Sequence, residues 1–138
     1  MLKEVAFPAK REFLPQMLSK LTAEIKKYVE DEKWINRLKV CSEEILVNIV
    51  DYSKSEMVYI TCEHVNNSLR FEFTDEGTPY NPLKEAPEVD LEADIDERKI
   101  GGLGIFLYTT IMDEIKYYYK DGKNHLTAIK KLVDSNEK

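Results

Sequence analysis

Between residues 10 and 30 the apolar side chains Phe13, Leu14, Met17, Leu18, Leu21, Ile25 and Val29 recur at helical spacing, with polar residues on the other face. This predicts an amphipathic helix. Pro15 falls near its start, where a missing N–H matters least. Upstream, residues 3–7 alternate like a short strand that Pro8 ends. Downstream, residues 31–33 form a short connection and residues 34–53 a second helix. Residues 57–63 and 69–74 are β-branched and aromatic runs joined through Val65, Asn66, Asn67 and Ser68, which predicts an antiparallel hairpin. Residues 80–99 carry prolines and many acids without a sustained hydrophobic period, the pattern of a long loop. Residues 100–112 open with glycines and continue as an apolar helix. Residues 114–119 and 125–132 are two more strands, turned by Asp121 and Gly122.

The resulting order is β-α-α-β-β-α-β-β. It predicts an α/β (α+β) two-layer sandwich: a mostly antiparallel mixed sheet with helices on one face. The length of 138 residues suits a single domain, 1–138. With 43% apolar and 33% charged residues the composition is that of an ordinary globular chain. No apolar run approaches the ~20 residues of a membrane span, and the first residues lack a signal-peptide core, so a cytoplasmic location is expected. A net charge of −6 argues against direct nucleic-acid binding, which needs clustered cations. Cys41 and Cys62 read as small buried thiols, and His64 and His125 have no ligand-spaced companions.

Three short patterns carry candidate chemistry. Glu44 and Asn48 are four residues apart, side by side on one face of the second helix among Ile45, Leu46, Val47, Ile49 and Val50. Such a buried polar pair is satisfied by a neighbouring element, by water or by a ligand. Asp75, Glu76 and Gly77 end the second hairpin strand. They are either a plain turn or a carboxylate acceptor for an exocyclic amine, with Gly77 leaving room for a flat ring. Gly101, Gly102, Leu103 and Gly104 open a helix, as an anion cradle or as a tight packing contact.

In this order the three patterns resemble the GHKL ATPases with their Bergerat nucleotide fold, histidine-kinase-like ATPases. Within that superfamily the chain is similar to the anti-sigma factor serine/threonine kinases, over nearly its whole length. The phrase Glu97-Arg98-Lys99-Ile100-Gly101-Gly102-Leu103-Gly104-Ile105 is similar to that family's second glycine box, and Met112-Asp113-Glu114 after the helix matches as well. The sequence departs from the family at Pro79, where many relatives have a second glycine, and near Tyr52, where many carry histidine.

The resemblance implies an ATP-binding, Mg²⁺-dependent serine/threonine protein kinase. It would phosphorylate a STAS-type anti-sigma factor antagonist, alternately sequester a sigma factor, and form homodimers as such proteins often do. Glu44 would be the general base, with Glu43, about 100° round the helix, the weaker candidate. Asn48 would bind Mg²⁺ and ATP. Asp75 and Gly77 would form the adenine pocket, with Thr127 supporting Asp75. Gly102, Leu103 and Gly104 would hold the phosphates, and residues 80–99 would be the ATP lid. Arg98 would stabilise the transferring phosphoryl group, or else is a solvated charge. The competing expectation is a non-catalytic nucleotide-binding module that sequesters a regulatory protein. Glu44 argues for the kinase, because a pure binder needs no base there.

Overall fold

The computed structural model of the chain describes residues 2–85 and 110–132. The first strand, β1 (Leu2–Pro8), leads through a 3-10 turn at Arg11–Phe13 into α1 (Leu14–Ile25), with Pro15 in its first turn. The helix is shorter than the apolar period, which runs on to Val29. Its last turn tightens: Lys27 N–H donates to Glu24 O at 3.2 Å and Tyr28 N–H to Ile25 O at 3.0 Å. Val29 is still buried, so the hydrophobic position is real although the chain has left the helix.

The second helix, α2 (Glu32–Asn48), begins two residues before the expected start because Asp31 caps it. The Asp31 carboxylate accepts from Lys33 N–H at 2.9 Å, satisfying a donor left open at the helix end. Beyond Asn48 the helix widens into one π turn, Ile49–Ser53, and Lys54 stops it in a left-handed conformation, φ 61°.

Four further strands follow: β2 (Met57–Val65), β3 (Ser68–Asp75), β4 (Glu114–Lys120) and β5 (Lys123–Lys131). Both hairpin turns have two central residues with positive φ, Asn66 and Asn67 in one, Asp121 and Gly122 in the other. That backbone twist matches the twist of the flanking strands. The sheet order is β1-β2-β3-β5-β4, and every pairing among the described strands is antiparallel. This is the antiparallel-rich sheet that the order of elements predicts. With two helices between β1 and β2 the chain reverses three times, so β2 returns antiparallel to β1.

Side chains alternate along each strand. Val58, Ile60 and Cys62 of β2, Leu69, Phe71 and Phe73 of β3, and Leu126 and Ala128 of β5 are buried with Met17, Leu21 and Ile25 of α1 and Leu38, Ile45 and Leu46 of α2. Each large side chain so buried contributes about 1.5–3 kcal/mol. Cys41 and Cys62 are free thiols within this layer. Residues 80–85, expected as loop, include a short helical turn, α3 (Pro82–Glu85). The rest of that loop and most of the expected third helix lie outside the described residues; Thr110 and Ile111 are helical and Met112 is buried.

Candidate functional site

The same alternation that builds the core delivers polar groups to one end of it. Asp75, last residue of β3, continues the inward series of Phe71 and Phe73 and is paired across the sheet with Asn124 of β5. Both are buried. Asp75 Oδ1 accepts from Gly77 N–H and from Asn124 Nδ2, each at 2.9 Å. Burial raises the Asp75 carboxyl above its ordinary range, against the pull of the Asn124 amide, the Gly77 N–H, the Ser53 hydroxyl and the charge of His125.

From the other side α2 presents Glu44 and Asn48, only 6% and 1% exposed. Apolar neighbours on the helix force both inward, as the i,i+4 spacing predicted. Glu44 Oε2 has no hydrogen-bond partner among the described residues. Burial, and then the charge of Glu43, push its carboxyl up from 4.5 to about 7. Glu43 itself is exposed. A carboxyl that titrates near neutrality is suited to take a proton from a hydroxyl.

Asn48 and Asp75 line one cavity, together with Ile49, Ser53, Tyr80 and Asn124. It offers about 20 Å³, room for roughly one water and far below the ~300 Å³ of a typical ligand pocket. Its cover is the segment that follows the Asp-x-Gly turn. Tyr80 stacks on Tyr52 at 5.1 Å between ring centres, and its N–H donates to Asn124 Oδ1 at 3.0 Å. A larger groove of about 1260 Å³ runs between α1 and α2, past the Arg11–Asp51 ion pair, and Asn48 borders it too. That groove is lined by Glu43 and not by the buried Glu44.

The structure thus brings Asn48 and Asp75 together, with Glu44 one helical turn before Asn48. Arg98, Gly102, Leu103 and Gly104 lie outside the described residues. Two expectations need correction. The missing side chain of Gly77 does not make room for a ring: a Cβ there would stand 1.9 Å from Ser53 O and 2.9 Å from Ser55 N. Glycine is required because the turn docks on the end of the π turn. Thr127 does not support Asp75. It is three positions from Asn124 along β5 and therefore on the opposite face, paired with Glu72 and Lys116. Asn124 takes that part, and the sequence signal for it was available: a carboxamide in the inward series with Leu126 and Ala128.

A family profile described as the histidine kinase-like ATPase domain matches residues 7–130. The chain is 33% identical over 95 residues to serine-protein kinase RsbW of Listeria monocytogenes, an overlap covering 64% of this chain and 60% of that protein. It is 28% identical over 104 residues to serine/threonine-protein kinase BtrW of Bordetella bronchiseptica, covering 70% of this chain and 72% of that one. Among solved structures, the RsbU and RsbW domains of a Mycobacterium tuberculosis protein superpose with a TM-score of 0.61 at 12% identity, over 94% of this chain and 32% of that one. The histidine kinase AdeS of Acinetobacter baumannii gives 0.53 at 14% identity, over 97% and 70%. At such identities the structural likeness speaks for the fold. The profile match spans most of the sequence, from β1 to β5, and on it the chain belongs to the histidine kinase-like ATPase domain family.

Proposed function

We propose that the chain is an ATP-dependent serine/threonine protein kinase that phosphorylates a STAS-type anti-sigma factor antagonist and, in alternation, sequesters a sigma factor. The observation that carries this reading is Glu44. A carboxyl buried to 6% exposure, its Oε2 without a partner among the described residues and titrating near 7, is costly to the fold and useful to a phosphotransferase. It stands one turn before Asn48, which shares a cavity with Asp75. The names of the Listeria and Bordetella relatives, both serine kinases, point the same way.

In this reading Asp75 accepts a hydrogen bond from the adenine amino group. Gly102, Leu103 and Gly104 receive the phosphates, and Arg98 meets the charge on the transferring group. Asn48 offers a hard oxygen to Mg²⁺. Among the described residues no three His, Cys, Asp or Glu side chains cluster to hold a metal. Magnesium takes one or two protein oxygens and completes its shell with phosphates and waters. When bound, the ion supplies charge neutralisation at the phosphates. Glu44 takes the proton of the acceptor hydroxyl as its oxygen bonds to the γ-phosphorus, and the bond to the β–γ bridging oxygen breaks to release ADP.

The test is incubation with Mg-ATP and a STAS-type partner, followed by intact-mass analysis. One phosphate increment on the partner, absent with Glu44→Gln although ATP still binds, is expected. Undiminished transfer by Glu44→Gln removes Glu44 from the role. ATP binding without any transfer leaves the sequestering module as the function.

A further inference from the structure

We propose that Asn124 is the positioning residue of base recognition: its carboxamide fixes how the Asp75 carboxylate is turned toward the ligand and holds segment 78–80 across the cavity. The inference rests on the reading that Asp75 receives the base.

Asn124 spends its whole hydrogen-bonding capacity on this corner. Nδ2 donates to Asp75 Oδ1 at 2.9 Å and to the Thr78 carbonyl at 2.8 Å. Oδ1 accepts the Tyr80 N–H at 3.0 Å and the Tyr117 hydroxyl. Two donors and two acceptor sites are all that a carboxamide has. Its orientation is therefore determined. Flipped, its oxygen would face a carboxylate and a carbonyl, while its amino group would face the Tyr80 N–H, which can only donate.

Two consequences follow for the site. Gly77 N–H and Asn124 both bond the same carboxylate oxygen, Oδ1, and together they fix how the carboxylate is turned toward an exocyclic amine. The Thr78 and Tyr80 backbone groups that cover the cavity are tied to the same amide as Asp75. Turning the carboxylate and lifting the cover are thereby one event. Asn124 touches no reacting atom. Its effect passes through Asp75 and segment 78–80.

The experiment compares ATP with inosine triphosphate, which lacks the exocyclic amine, by calorimetry with Mg²⁺ on the full chain. Asn124→Ser is expected to reduce the ATP-over-ITP affinity ratio about tenfold, the size of one lost hydrogen bond to a charged group. Tyr117→Phe, which removes one of the two donors orienting the amide, reduces it about threefold. A purely structural role would weaken both nucleotides alike and leave the ratio unchanged, and that result in folded Asn124→Ser overturns the proposal. Should Asn124→Ser not fold, an unchanged ratio in Tyr117→Phe overturns it instead. Asp75→Asn separates the two failures. If the wild-type chain shows no preference for ATP, or Asp75→Asn keeps it, the base-pocket reading itself is wrong. If Asp75→Asn loses the preference and the Asn124 and Tyr117 variants keep it, only the role of Asn124 is.

Discussion

Gly77 lies so close to Ser53 that a Cβ on it would stand 1.9 Å from the Ser53 carbonyl oxygen. The same oxygen accepts from Thr78 N–H at 2.8 Å and Thr78 Oγ1 at 3.2 Å, so the Asp-x-Gly turn is fastened to the end of the π turn that follows Asn48. Gly77→Ala must push backbone against backbone. It is expected to cost on the order of 3 kcal/mol in urea unfolding and to abolish nucleotide binding, because Asp75 loses its Gly77 N–H partner. Gly122→Ala is the control. Gly122 has φ +75° with open space about it, so alanine there costs about 1 kcal/mol and leaves binding alone. Equal effects from the two variants would show that the docking contact has no special role.

Asn48 closes α2 and faces the cavity that holds Asp75; in the function proposed above its oxygen is the metal-side counterpart of the base-side carboxylate. Asn48→Ala is expected to lower ATP affinity tenfold or more in Mg²⁺, roughly the loss of one strong polar contact, and to change it little in EDTA. Calorimetry in the two buffers checks this. Equal losses in both would place Asn48 on the nucleotide and not on the metal.

The two thiols give a test of the core itself. Burial, and secondarily the charge of Glu44, push Cys41 up to about 12, and burial with the charge of Glu24 does the same to Cys62. At pH 8 the reactive thiolate is then on the order of one part in ten thousand. Neither cysteine should react with a maleimide in the native chain over a time that labels both in denaturant. Rapid labelling of Cys62 alone would mean that the sheet opens away from the helices.

The periodicity reports what each element buries, and that made most of the fold legible. Leu21 and Ile25 announce α1, and Phe71 and Phe73 announce the inward face of β3. Element ends depend on local bonds that no period carries. Asp31 started α2 early, and the tightened turn after Ile25 ended α1 before its last apolar position. At the site, the i,i+4 spacing sufficed for Glu44 and Asn48, since one helix fixes both. Choosing the partner of Asp75 needed the register between two strands far apart in sequence. The resemblance pointed to Thr127, but the pairing of Asp75 with Asn124 puts Thr127 on the wrong face. The contact that requires glycine at position 77 is not legible in the sequence, because its neighbour Ser53 comes from another element.

A buried carboxyl destabilises the fold that holds it once it ionises, and Glu44 is such a group. Its native carboxyl titrates at about 7 against an ordinary 4.5, raised first by burial and then by Glu43. Between those values the native state binds more protons than the unfolded chain, so stability falls as pH rises through the window. The full effect above pH 7 is on the order of 3 kcal/mol, and below pH 4.5 it vanishes. Glu44→Gln replaces the acid by a neutral group of the same shape. Its urea midpoint should match the wild type near pH 4 and exceed it at pH 8, while transfer to the partner is lost. A variant less stable than wild type at pH 8 would mean that the ionised carboxylate is held by a partner, and a paired carboxylate is not poised to take a proton.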